Sequence, residues 1–209
     1  VDAPRVTVSA SAERAVAPDS FTLVATVTGV AAEQQAARNA LAARYTQLEQ
    51  AAAGLPETIE VRRGELSSWR ETDRRQVRWH VHRSMSVTGT DVARVGEVLT
   101  VLATVADVEI MGPHWSLDRE NPVYAELQSD VVRQARDRAE RYAAALGGTL
   151  GRLIELSDPD GEPGMRGRAF AVSAGGRPAG VDIGDLDYRP ETVTVHASVT
   201  ASWSLVLPD

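Results

Sequence analysis

The sequence predicts an α+β fold, with three helices on mixed or antiparallel sheets in the order β-β-α-β-β-α-β-α-β-β. Three observations predict it. Apolar and polar residues alternate in several segments, as in half-buried strands. In three others, apolar residues recur every three or four positions, as on one helix face. And no run of βα units opens with a Gly-rich first turn, which disfavours a doubly wound nucleotide-binding sheet.

Arg5 to Ala12 alternates, with Val6 and Val8 against Thr7 and Ser9. Pro18-Asp19 marks a turn. Phe21 to Val30 reads as a second strand, with Phe21, Leu23, Ala25 and Val27 on one side. From Ala31 the period changes: Ala37, Leu41, Tyr45, Leu48 and Ala52 share a helix face, and Gly54 and Pro56 end the helix. Ile59 to Trp69 predicts a strand with poor alternation, and Glu71 to Arg75 a charged turn. Gln76 to Thr88 alternates clearly, with Val77, Trp79, Val81, Met85 and Val87 facing one way. Arg78, His80, His82, Ser84 and Ser86 face the other.

Asp91 can cap a helix carrying Val92, Val95, Val98, Leu99 and Leu102. Val108 to Leu117 returns to strand. Asn121-Pro122 is an N-cap with proline in the first helical position. The helix that follows has the stripe Tyr124, Leu127, Val131, Ala135, Ala139, Tyr142 and Leu146, closed by Gly147-Gly148. Leu150 to Leu156 is a strand. Asp158 to Asp187 is rich in Gly and Pro and longer than an ordinary loop, so it is functional, disordered or held by a partner. Thr192 to Leu207 is a long last strand in which Val193, Val195, Ala197, Val199, Ala201, Trp203 and Leu205 alternate with polar residues.

The chain has 209 residues, enough for one large domain or two small ones. Hydrophobic residues make up 43%, too many for a chain disordered throughout. No apolar run approaches the ~18 residues of a membrane helix. The net charge of −7 weighs against a nucleic-acid-binding domain. All 22 basic residues are Arg, a pattern of GC-rich coding. The absence of Cys excludes disulfides, thiolate metal sites and cysteine nucleophiles. The chain opens on a strand-like segment, so the expectation is a signal peptide already removed, or none.

Several stretches in order carry a family likeness. They are Val6-Thr-Val-Ser with Ala17-Pro18-Asp19, Thr88-Gly-Thr-Asp91 leading into Val95-Gly96, and Ala135 to Ala143 followed by Leu146-Gly147 and Leu150-Gly151. Ile154 to Leu156 and Val193-Thr-Val with Trp203 complete the set. Together they resemble the SIMPL-domain (DUF541) family, which includes the Brucella periplasmic immunogenic protein group. The chain departs from it at Ala10 and Ala12, where members usually have glycine, and in its Arg-rich middle segment. The resemblance implies a two-lobed α+β fold: a larger discontinuous lobe, residues 1–56 and 118–209, with a smaller β-β-α-β lobe, residues 57–117, inserted into it. It also implies oligomers in some members, and envelope or stress roles. The expected location is periplasmic or secreted, with the cytoplasm left open. It supplies no catalytic residues.

The residues themselves assign no catalytic, cofactor or metal site. His80 and His82 share a strand face, a spacing that suits a transition metal, but their neighbours are Arg78 and Ser84 and no third ligand is evident. Arg62, Arg63, Arg70, Arg74, Arg75, Arg78 and Arg83 cluster with Trp69 and Trp79, as in grips on single-stranded nucleic acid. Interspersed Glu60, Glu65, Glu71 and Asp73 favour salt bridging instead. Asp182, Asp185 and Asp187 lack calcium-loop spacing. Ser173 to Gly176 lacks the Lys of a phosphate loop. The function expected is a non-enzymatic binding or scaffold module acting as a homo-oligomer, with no cofactor and no membrane span. The alternatives are a small-molecule sensor or enzyme with an inter-lobe pocket, and a weak polyanion binder through Arg62 to Arg83.

Overall fold

The computed structural model describes residues 4–73, 76–158 and 190–208. The elements are β1 (Arg5–Val16), β2 (Ser20–Ala31), α1 (Gln34–Ala53), β3 (Ile59–Asp73), β4 (Gln76–Gly89), α2 (Val95–Ala103), β5 (Glu109–Ser116), α3 (Pro122–Ala145), β6 (Thr149–Ser157) and β7 (Val193–Val206). This is the predicted order, in an α+β fold with two antiparallel sheets. The described residues form two units, one of 18–117 with 190–191 and one of 4–17, 118–158 and 192–208.

In the 18–117 unit the strands run β3-β4-β2-β5, all antiparallel. With α1 after β2 and α2 after β4, this is the split β-α-β-β-α-β pattern. Both helices contribute to one core. Phe21, Leu23, Ala25 and Val27 of β2 meet Leu41, Tyr45 and Leu48 of α1, with Val98, Leu99 and Leu102 of α2. The side chain of Asp91 accepts a hydrogen bond from the Ala93 N–H at 3.1 Å, capping the 3-10 turn Val92–Arg94 that leads into α2. Pro113, which has no N–H to give a sheet, lies on the edge strand β5 where its register against β2 shifts.

The lobe division therefore differs from the expected one. Residues 57–117 are only part of a unit that starts at Pro18. The reason is physical: β2 is a central strand bonded to both β4 and β5, and the stripe of α1 packs on it.

In the other unit the order is β1-β7-β6, again antiparallel. β1 pairs with β7 along its whole length, from Arg5 opposite Ser204 to Val16 opposite Val193. Val195, Val199, Ala201 and Trp203 are buried on the face covered by α3. The helix begins where Asn121 accepts from the Val123 N–H at 3.0 Å with Pro122 behind it. It ends as Gly147 takes a φ of 75° and Gly148 donates to the Ala143 carbonyl at 2.9 Å. Its buried row is Val123, Leu127, Val131, Ala135, Ala139 and Ala143. Tyr142 and Leu146, expected in that row, are 46% and 60% exposed.

Candidate functional site

A cavity lies between α1 and the β3–β4 hairpin, and its walls follow from strand alternation. Trp79, Val81, Arg83, Met85 and Val87 of β4 occupy one parity, and Val81, Met85 and Val87 are buried there. Arg83 thus stands in the helix-side row. Opposite it, β3 brings Leu66 to Arg83 and Ser68 to Val81. A register shift between Arg63 and Leu66 sets that pairing. Gly64 packs so close to Ser84 that a side chain would not fit, and the Glu65 N–H donates to Ser84 Oγ at 3.0 Å. Small Ser68 and Ala42 stand where larger side chains would close the layer. A space of about 480 Å³ remains, lined by Arg38, Leu41, Ala42 and Tyr45 of α1 and by Leu66, Ser68, Val81 and Arg83 of the hairpin.

Tyr45 is only 5% exposed. The guanidinium carbon of Arg83 sits 4.5 Å from the centre of its ring, a cation–π contact. The Tyr45 hydroxyl and Arg83 Nε are both buried, and among the described residues neither has a hydrogen-bond partner. Buried polar atoms are nearly always satisfied, so two orphans beside one cavity are notable. Among the described residues no carboxylate lines the space. The nearby Glu49 is paired with Arg63 at 2.9 Å.

The opposite face of the hairpin carries the histidines. Trp69 stacks on His80 with centroids 5.0 Å apart and meets His82 edge-on at 5.2 Å. His80 Nε2 is 2.9 Å from Glu71 Oε2, and His82 Nε2 is 2.8 Å from Ser67 Oγ. The arginine set does not form one surface. Arg62 and Arg78 fall on this outer face, while Arg63, Arg70 and Arg83 fall on the helix side, and Trp69 and Trp79 are divided the same way. Arg62 pairs with Glu60 at 2.7 Å. Arg74 and Arg75 lie outside the described residues, as do Ser173 to Gly176 and Asp182, Asp185 and Asp187.

A second feature is the edge of the three-stranded sheet. β6 has β7 on one side and no strand on the other among the described residues. Leu153, Ile154 and Leu156 are 50%, 48% and 50% exposed. Leu146, just before β6, and Val206 and Leu207, at the end of β7, are exposed as well. The cause is the placement of α3, which among the described residues lies mainly over β1 and β7 and only partly over β6. Register shifts on either side of Leu153 also turn β6 side chains out of simple alternation. The other edge, β1, exposes Thr7, Ser9, Ser11 and Glu13 instead.

Sequence reasoning missed Tyr45 and Arg83 as a pair. Tyr45 was expected as core of the α1 stripe, and Arg83 as one of a surface cluster. The signal was present: Arg83 interrupts the apolar series Val77, Trp79, Val81, Met85 and Val87 at the same parity. Comparison with curated proteins gives no match. The profile of the family described as SIMPL, "Protein of unknown function (DUF541)", matches residues 6–203, nearly the whole chain, and the chain belongs to that family.

Proposed function

We propose that the chain is a non-enzymatic binding or scaffold module that acts as a homo-oligomer joined through β6. The observation that carries this reading is the half-exposed Leu153, Ile154 and Leu156 on a strand with one free edge among the described residues. Exposed edges with apolar side chains are templates for another chain, and proteins ordinarily blunt them with charge, proline or cover. β1 is blunted with polar residues and β6 is not. A second copy is the occupant because β6 is nearly neutral, with one Arg152 and one Glu155, and two antiparallel copies form a closed two-fold pair that leaves no apolar edge. Envelope or stress biology, in the periplasm or outside the cell, is the setting that the family likeness supports.

Light scattering tests the reading. The expected molar mass at micromolar concentration is about twice the 22.4 kDa of one chain. The double variant Ile154→Arg, Leu156→Arg is expected to be a folded monomer with little change in melting, since both positions are half exposed. A monomeric parent, or a variant that still assembles, would overturn the proposal.

A further inference from the structure

The cavity between α1 and the β3–β4 hairpin is a different part of the molecule and supports a separate conclusion. We infer that it is a binding site for a small amphipathic carboxylate, with the carboxylate at Arg83 and Tyr45 and an apolar body along Leu41, Leu66 and Val81.

Four observations lead there. The first is the pair of orphaned donors. Arg83 Nε and the Tyr45 hydroxyl are buried without a protein partner among the described residues. Leaving such groups unmet is costly, so a ligand that supplies acceptors is favoured over an apolar filler. The second is charge. Among the described residues the lining holds two guanidiniums, of Arg38 and Arg83, and no acid, within a chain of net charge −7. A guanidinium is a planar fork of donors, matched to the two oxygens of a carboxylate. The third is that the ring of Tyr45 holds the guanidinium by its face, 4.5 Å from the centroid. That contact fixes Arg83 without using its N–H donors. The fourth is size and lining. About 480 Å³ falls in the range of ligand sites, and the apolar walls exceed what a bare inorganic anion needs.

Titration calorimetry on the full chain, with octanoate as probe, tests this. Saturable 1:1 binding is expected. The uncharged 1-octanol should bind at least about tenfold more weakly, and inorganic phosphate should not compete. Arg83→Met keeps length and bulk and should weaken octanoate at least about tenfold. Tyr45→Phe should weaken it several-fold, yet melt at or above the parent temperature without ligand, because it removes an unmet buried hydroxyl. Four results would each overturn the inference. They are equal binding of octanoate and octanol, full competition by phosphate, undiminished binding by Arg83→Met, and a Tyr45→Phe protein that melts lower. The last would mean that the hydroxyl is already bonded within the fold.

Discussion

At the scale of single residues, two glycines separate close contact from mere flexibility. Gly29 lies near the end of β2, and a Cβ there would press into the backbone of Ala37 and Leu41 at the start of α1. Helix and strand approach so closely only because no side chain intervenes. Backbone cannot step aside as a flexible side-chain end can. Gly29→Ala is therefore expected to cost about 2 kcal/mol, as overpacking does. That corresponds to a melting temperature lower by about 4–8 °C. Gly96 in α2 is the counterpart, since a Cβ there meets nothing within 4 Å. Gly96→Ala should gain about 0.5–1 kcal/mol, because it removes conformational freedom from the unfolded chain and obstructs nothing. Thermal unfolding of the two variants beside the parent checks both signs. Two shifts in the same direction would contradict the packing described at Gly29.

At the scale of elements, α3 is the test piece for its unit. Leu127 and Val131 are each 2% exposed, in the centre of its buried row. An aspartate at either position would bury an unpaired charge among apolar side chains, a cost of several kcal/mol. Leu127→Asp or Val131→Asp is expected to abolish cooperative unfolding of the unit, followed by circular dichroism. Tyr142→Asp, at a position 46% exposed, should be tolerated. The centre of this row was legible in the sequence and its ends were not. A row of every fourth residue drifts by about 40° per step around a helix, while the sheet below is itself twisted. The row that follows the sheet thus starts at Val123 and finishes at Ala143, away from the bulkier Tyr142 and Leu146. Long strands were legible for the same reason that α1 was: a periodic pattern repeats often enough to fix a face. The exposure of β6 was not, because Leu153-Ile-Glu-Leu156 reads as an ordinary buried run. What leaves it open is the lateral position of α3, which local pattern does not encode. The cavity was hidden similarly. Its empty space arises from Ser68 and Ala42 lying in facing layers, a juxtaposition that only tertiary pairing creates.

At the scale of the whole molecule, the two units differ in how the chain supplies them. Residues 18–117 are continuous and hold a complete four-stranded sheet with both of its helices. That segment produced alone should fold, with a cooperative thermal transition and dispersed amide resonances; a fragment lacking both would show that its core needs the rest of the chain. The other unit is drawn from three separate stretches, and strand pairing between them is what the boundary near residue 57, implied by the family resemblance, did not capture. Asp158 to Asp187, expected to be functional, disordered or held by a partner, lies mostly outside the described residues. The strands that flank it, β6 and β7, are paired directly, with Ser157 opposite Thr200. The β1–β7 ladder has a further consequence, in time rather than space. β1 leaves the ribosome about 200 residues before its partner, with Arg5 opposite Ser204. At about 5–20 residues per second, β1 waits on the order of 10–40 s for β7 to be made. Through that interval the continuous 18–117 segment can fold while β1 stays unpaired. Its composition suits the wait: of twelve residues, Val6, Val8 and Val16 are the only large apolar ones, set among Ser, Thr, Ala and charged side chains. A nascent strand of that kind is poorly suited to joining the edge of another protein being made beside it.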